Sequence, residues 1–170
     1  MLNSTLKAAA AKTKLASTHT IIRASPVSGV LLIAMLILLC LVVFLYKPSI
    51  KTARLQTEKT QFTLEVAGTE EARLRGLSGW QRLTPNTGML FKFDVPSAAC
   101  MWMKDMRLSI DIIWLDEANT IVEIAQKVSP ETFPKLFCSA KPAKYVLELP
   151  AESAKNQSFY VGQTLDVNIP

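Results

Sequence analysis

One run of apolar residues limits what this chain can fold into more than any other feature. Residues 30–46 are 17 consecutive apolar or aromatic residues, and residues 27–46 together make a stretch of 20 without a charge. An α-helix of about 20 residues spans roughly 30 Å, the thickness of a bilayer's hydrocarbon core. A helix buried in a soluble core normally carries a polar stripe, and this run has none. The run therefore predicts one transmembrane helix over residues 27–46, with the lipid bilayer as its partner.

The distribution of charge along the chain favours the same interpretation. The formal net charge is +5, but residues 1–50 contain five basic residues and no acidic one, whereas residues 51–170 contain 14 of each. The excess positive charge thus lies beside the apolar run, most of it in a basic, polar N-terminal lead of residues 1–26. This layout is typical of a membrane anchor. It argues against a broad phosphate-binding surface, so we expect no nucleic-acid partner.

A cleaved signal peptide is the main alternative to an anchor. The apolar region of a signal peptide usually has about 7–15 residues and begins soon after the N-terminus. Here a 26-residue lead comes first, and no convincing Ala-x-Ala cleavage site follows Tyr46. We therefore expect an uncleaved anchor. Basic residues flank both ends of the run, so their count does not fix the orientation, but the short lead is the part more easily retained in the cytoplasm.

Beyond the run the sequence predicts a stalk and then one β-rich domain. Residues 47–60 are polar and typical of a short stalk, and residues 61–170 form the predicted domain. Apolar segments, several of them alternating with polar residues and bounded by turns, predict strands over residues 62–66, 89–93, 100–104, 110–115, 120–126, 145–149 and 165–169. The segment 110–115 is apolar on both faces after Asp111, which indicates a central strand. Short helices are predicted after Thr69 and over residues 151–156. The fold class is mainly β: a compact β-sandwich or barrel with one or two short helices, preceded by a single transmembrane helix.

The residue types present exclude several kinds of catalytic site. The only histidine, His19, lies in the N-terminal lead, so the domain has no histidine for a Ser-His-Asp or Cys-His pair or for a zinc site. The spacing of the glycines matches neither GxGxxG nor GxxxxGK, which leaves no signal for a phosphate-binding loop. We therefore expect no metal and no cofactor.

The densest group of chemically useful side chains follows residue 100. In an alternating strand Met101 and Met103 share one face, and Trp102 and Lys104 share the other and line a groove. The candidate ligand-binding residues are Trp102, Lys104, Asp105 and Asp111. A tryptophan beside charged groups can stack on a ligand while the charges orient it. The alternative is structural: the same charges form a network that stabilises a tight corner. A third interpretation is acid–base chemistry by the two aspartates, as in a hydrolase.

Three cysteines bear on the compartment of the domain. Cys40 lies inside the apolar run, and Cys100 and Cys138 lie in the domain. Two cysteines outside the membrane are able to form one disulfide, and we predict that this pair lies close enough to do so. Two buried free thiols are the alternative, and the sequence alone leaves both open.

Four motifs in a fixed order resemble one known family. They are GLSGWQRL (76–83), GMLFKF (88–93), WMKDMRLSIDIIWLD (102–116) and YVLELPA (145–151). Together they are similar to the bacterial and archaeal family called domain of unknown function 192, over about residues 62–167. Residues 102, 104, 111 and 148 match the family pattern. Ser78, Trp80, Asp105, Met106 and the pair at 109–110 depart from it. The resemblance implies a compact β-sandwich or barrel that often follows a signal sequence or membrane anchor, and it implies no reaction.

Three functions from different classes follow from these observations. The leading hypothesis is a membrane-anchored, extracytoplasmic binding or interaction module, with an unknown ligand or protein partner at Trp102 and Lys104. The second is a hydrolase that uses carboxylate and lysine chemistry. The third is a structural or assembly accessory protein without a small ligand. In each case we expect a single-pass protein of the cytoplasmic (inner) membrane of a prokaryote, with its domain facing the periplasm or the exterior.

Overall fold

The computed structural model of the chain describes residues 26–45 and 50–170. It divides the chain into two units, Met1–Pro48 and Ser49–Pro170. The predicted basic lead lies outside the described residues except for Pro26, and so do residues 46–49 at the start of the predicted stalk.

The described part of the first unit is a helix, α1, over Pro26–Leu45. Its side chains are described from Gly29 onward, and they are exposed. Over the residues that the structure describes, no helix is both long and apolar enough to cross a membrane.

The second unit is mainly β, as the sequence predicts. Its strands are β1 (Thr52–Gln56), β2 (Gln61–Ala67), β3 (Thr87–Ser97), β4 (Cys100–Met101), β5 (Ile110–Leu115), β6 (Ile121–Val128), β7 (Phe137–Cys138), β8 (Ala143–Pro150) and β9 (Asp166–Asn168). Two short helices, α2 (Glu70–Arg75) and α3 (Ser153–Asn156), and a 3₁₀ turn at Pro130–Thr132 complete it. The predicted hairpin between β5 and β6 and the two predicted short helices are confirmed.

Seven of the strands form one curled sheet in the order β6-β5-β8-β3-β2-β1-β9. All neighbours are antiparallel except β2 and β3. The segment before β9 returns to the other edge of the sheet, where Ile121 and Gly162 each donate a backbone hydrogen bond across the gap. Because that segment contacts both edges, the sheet curls into a half-barrel. The architecture is therefore one curled sheet, where the sequence predicts a compact β-sandwich or barrel.

Each face of the curled sheet packs its own hydrophobic core. The first core contains Leu165 and Val167 from the segment that joins the two edges, so it fills the inside of the curl. The second core lies on the outer face, beneath α2, the turn after it and residues 98–109. Its largest buried side chains include Phe91, Met103 and Trp114. The outer face is thus covered by short and irregular segments, which leave room for a cleft.

Two predicted boundaries are wrong for identifiable reasons. Residues 47–60 do not form a stalk throughout, because β1 pairs with β2 and β9 and fully buries Ala53 and Leu55. The predicted strand over residues 100–104 ends at Met101, because the chain turns at Asp105, whose φ of 56° is left-handed. The alternation in residues 101–104 survives this turn, since the two methionines are buried and Trp102 is not.

A disulfide fixes the irregular segment on the outer face. Cys100 and Cys138 are direct neighbours in the β4–β7 ladder, and their Cα atoms are 4.0 Å apart. The structure thus brings the two cysteines together as a bonded pair. The bond connects the segment that precedes Trp102 to the loop that leads into β8.

We expect reduction of this disulfide to destabilise the domain. The bond closes a loop across a sequence separation of 38 residues, for which the chain-entropy model gives about 4 kcal/mol. Urea unfolding of the full chain in detergent, with and without dithiothreitol, measures the effect. A Cys100→Ala/Cys138→Ala variant should have the free energy of unfolding of the reduced chain, with or without dithiothreitol. The Cys40→Ala variant should lose stability on reduction as the unmodified chain does. Equal stability in both conditions would contradict a stabilising role for the bond.

Candidate functional site

A cleft of about 210 Å³ opens on the outer face of the sheet. One wall is α2 with the turn after it, the other is the segment from Cys100 to Met106, and β3 and β8 supply the floor. The lining residues are Glu70, Arg73, Leu74, Arg75, Gly76, Leu77, Ser78, Phe91, Phe93, Cys100, Met101, Trp102, Lys104, Met106 and Glu148. Both Trp102 and Lys104, predicted as site residues, therefore lie in one cleft.

Hydrogen bonds to backbone carbonyls hold the two walls at a fixed separation. The Ser78 hydroxyl donates to the Lys104 carbonyl at 3.0 Å, and the Gly79 N–H donates to the Asp105 carbonyl at 2.9 Å. Beneath them, the indole N–H of the buried Trp114 donates to the Ala99 carbonyl at 2.8 Å. These bonds position the segment after β4 although it has no regular secondary structure.

Helix α2 is built from local signals that the sequence contains. Thr69 caps its N-terminus by accepting a hydrogen bond from the Ala72 N–H at 3.2 Å. Gly76 ends it with a positive φ of 49°, and a Cβ there would lie 3.2 Å from the Phe91 ring. The helix therefore ends in close contact with the floor of the cleft, which sets the position of that wall.

The predicted aromatic and cationic residues are accessible in the cleft. Trp102 is 42% exposed, while Met101 and Met103 beside it are buried. Lys104 is exposed, and within residues 50–170 its amino group has no ion pair. This arrangement agrees with the predicted alternation and presents an indole ring and an ammonium group to solvent.

Glu148 is the residue that the sequence analysis did not select for the site. It lies on β8 between Met89 of β3 and Ile112 of β5, and its side chain is on the outer face. Only 3% of the residue is exposed, and its Oε2 atom has no hydrogen-bond partner among the described residues. A buried polar atom without a partner costs about 1–3 kcal/mol, so natural proteins contain few of them. A single acidic residue within the apolar YVLEL run was the available signal.

Burial changes the ionisation of this carboxyl group. Loss of solvent raises the pKa of Glu148 from 4.5 to about 8, because the low-dielectric surroundings disfavour the charged form. At neutral pH the group is therefore mostly protonated while the cleft is empty. Carboxyl groups in clefts with strongly shifted pKa values occur most often at functional sites.

The cationic side chains of the cleft differ in how many interactions they make within the domain. The Arg73 guanidinium donates to the carbonyls of Gly68 at 3.1 Å and Lys92 at 2.9 Å, and it stacks on Phe93. Arg73 therefore has a structural role. Arg75, in contrast, is exposed and, like Lys104, has no ion pair within residues 50–170.

The two predicted aspartates do not join this site. Asp111 is fully buried on the inner face, where its Oδ1 accepts from the Lys127 N–H and its Oδ2 from the Ala154 N–H, both at 2.8 Å. It therefore connects β5 to the end of β6 and to α3, and its partners are backbone N–H groups, not the charged side chains of the network that the structural alternative predicts. Asp105 is exposed at the turn and contributes its carbonyl to the wall. The geometry thus separates Asp111 from Lys104 and Asp105 by the thickness of the sheet.

No grouping of three or more His, Cys, Asp or Glu side chains within residues 26–45 and 50–170 is arranged to hold a metal ion. The lining offers a ligand the Trp102 indole ring, the Arg75 and Lys104 cations, which have no ion pair within residues 50–170, and the buried Glu148 carboxyl group.

The fold and the cleft define a small, mainly β domain with a potential ligand site on its outer face. The sequence profile of the DUF192 family, described as "Uncharacterized ACR", matches residues 52–167. The chain belongs to this family, which agrees with the resemblance of the four motifs. No curated protein matches the chain.

The solved structures that are similar to this chain include the following two. One is a Sinorhizobium meliloti 1021 protein described as a "putative transcription regulator", with 29% identity, a TM-score of 0.65 and coverage of 72% of this chain and 98% of that one. The other is a protein of unknown function from Novosphingobium aromaticivorans DSM 12444, with 23% identity and a TM-score of 0.61. The match covers 69% of this chain and 84% of the Novosphingobium chain. At this level of identity the similarity supports a shared fold only.

The raised pKa of Glu148 predicts a specific dependence of stability on pH. Between about pH 4.5 and 8 the folded chain keeps a proton on Glu148 that the unfolded chain has released. The unfolded state therefore binds fewer protons, and the contribution of this group to stability falls by up to about 1.4 kcal/mol per pH unit as pH rises through that window. Urea unfolding at several pH values measures the slope.

The matched variants are Glu148→Gln and Glu117→Gln, the second at an exposed turn. Glu148→Gln should remove the part of the slope that belongs to residue 148, so that its stability relative to the unmodified chain increases from pH 5 to pH 8. Glu117→Gln should leave the slope unchanged. An unaltered slope in Glu148→Gln would show that this carboxyl group does not titrate as described.

Proposed function

We propose that this protein is a membrane-anchored, extracytoplasmic binding module that holds its ligand in the cleft between α2 and the segment after β4. The observation that carries the proposal is the Glu148 carboxyl group, buried in the cleft without a partner. A protein retains such a group at a cost in stability, which a ligand that supplies the missing partner offsets. Trp102 and Lys104 at the opening provide a stacking surface and a charge that orients the ligand.

The anchor in this proposal is supported by the sequence. Residues 27–46 contain no charge, and 20 residues in a helix would extend over about 30 Å. All large apolar side chains described along α1 are exposed, which is unfavourable in water and favourable in lipid. A disulfide-bonded domain also suits an oxidising compartment outside the cytoplasm.

A hydrolytic function and a regulatory function receive less support. Hydrolysis by paired aspartates requires Asp105 and Asp111 at one site, and Asp111 is fully engaged on the inner face. The Sinorhizobium relative is described as a regulator of transcription. The equal numbers of basic and acidic residues in residues 51–170 do not favour an extended contact with phosphates.

A ligand of this cleft should raise the melting temperature of the full chain in detergent, and Trp102→Ala should abolish that rise. Binding to the native state alone stabilises it by an amount set by the ratio of ligand concentration to Kd. Because Trp102 is half-exposed, its loss should cost about 1 kcal/mol, whereas a buried tryptophan costs about 3–5 kcal/mol. The screen uses glycan, peptide, amino-acid and lipid-headgroup fragments by thermal shift.

The matched control is Tyr160→Ala, an exposed aromatic residue that does not line the cleft. It should keep every thermal shift that the unmodified chain shows. Shifts that survive in Trp102→Ala would place binding elsewhere, and a loss of stability in the core range would assign Trp102 a packing role and favour the structural accessory function.

The orientation of the anchor is tested by fusions at the C-terminus. We expect a C-terminal alkaline phosphatase fusion to be active, because the enzyme needs an oxidising compartment to form its disulfides. A matched fusion to a fluorescent protein that matures in the cytoplasm should be dark. The reverse result would invert the orientation, and release of a shortened soluble domain would indicate a cleaved signal peptide.

A further inference from the structure

The cleft contains ionisable groups without partners at two depths. At the floor, the Glu148 carboxyl group is 3% exposed and its Oε2 atom has no donor among the described residues. At the opening, Arg75 and Lys104 are exposed and unpaired within residues 50–170. Between them the surface is largely apolar and includes Phe91 and Trp102. The cleft therefore suits a ligand that places a hydrogen-bond donor at the floor and an anionic group near the opening.

We propose that the ligand of this cleft is a small zwitterion, an α-amino acid with an apolar side chain. Its ammonium group would bind the Glu148 carboxylate, its carboxylate would bind Arg75 and Lys104, and its side chain would pack between Phe91 and Trp102. This inference rests on the proposed function, since it names the class of ligand for the same cleft.

Because Glu148 is buried, an ammonium group is the ligand group best suited to the floor of the cleft. An ammonium group supplies three donors and a countercharge, and a charge-assisted hydrogen bond to a desolvated carboxylate is stronger than a neutral one. Glu70 also lines the cleft, but it is exposed, and solvated charge pairs contribute little. The deep carboxyl group is therefore the one that gains most from a cationic partner.

The size and the walls of the cleft limit the rest of the ligand. Pockets for drug-sized ligands usually measure about 300–1,000 Å³, and this cleft measures about 210 Å³. A molecule of amino-acid size is the appropriate match. Aromatic and thioether side chains in the lining, with Leu77, favour an aliphatic or aromatic side chain over a charged one.

Three matched probes test the inference by isothermal titration calorimetry on the full chain in detergent. L-Leucine has both charges, 4-methylpentanoate lacks the ammonium group, and 3-methylbutylamine lacks the carboxylate. We expect leucine to bind at least about tenfold more tightly than 4-methylpentanoate, which lacks the partner of the buried Glu148. It should also bind more tightly than 3-methylbutylamine, by a smaller factor, because Arg75 and Lys104 are exposed. Glu148→Gln should lower the affinity for leucine by about tenfold and leave the affinity for 4-methylpentanoate unchanged. Glu117→Gln should change neither affinity.

A count of released protons provides a readout that a structural role would not affect. Because Glu148 is mostly protonated in the empty cleft and ionised beside an ammonium group, leucine binding at pH 7 should release about one proton. Titrations in phosphate and in Tris, which differ in ionisation enthalpy, measure that number. The Glu148→Gln variant should release none.

The remaining outcomes separate this inference from the proposed function. Equal binding of 4-methylpentanoate and leucine, or weakening by Glu70→Gln in place of Glu148→Gln, would overturn the inference. No leucine binding up to about 10 mM would also overturn it. The proposed function survives these results if another fragment still requires Trp102. It fails if every ligand binds Trp102→Ala as it binds the unmodified chain.

Discussion

The position of β8 between β3 and β5 is the constraint on which the rest of the domain depends. Hydrogen bonding on both sides fixes its register, and alternation then directs Leu147 and Leu149 into the curl and Val146 and Glu148 to the outer face. A shift by one residue would move the carboxyl group into the inner core. The strand that builds the centre of the sheet therefore also builds the floor of the cleft.

The two faces of this sheet are covered in different ways. The inner face is closed by the sheet itself, because the segment before β9 contacts both edges. The outer face depends on a helix of six residues, on a disulfide and on hydrogen bonds such as that from Ser78 to the Lys104 carbonyl. Irregular segments pack less completely than strands, and the incomplete cover leaves the carboxyl group in an open cleft.

Local patterns in the sequence were sufficient for much of the fold. Alternation located most strands, and Thr69 and Gly76 marked the ends of α2. The same patterns did not separate Asp111 from Lys104, because the two residues are close in the chain. Only the pairing of β5 and the partners of Asp111 show that it lies on the inner face. Glu148 was missed for a related reason: on a strand buried on both faces, alternation does not indicate which face borders a cleft.

The contrast between the buried acids Asp111 and Glu148 indicates which face of the sheet carries the functional site. Asp111 meets two backbone N–H groups, so its burial is compensated and contributes to stability. Glu148 meets none at Oε2, although an apolar residue of similar size would fill the same position without that cost. Natural proteins accept such costs chiefly at sites that bind or react. The acid without a partner therefore directs attention to the outer face, whereas the fully bonded acid connects β5 to β6 and α3 on the inner face.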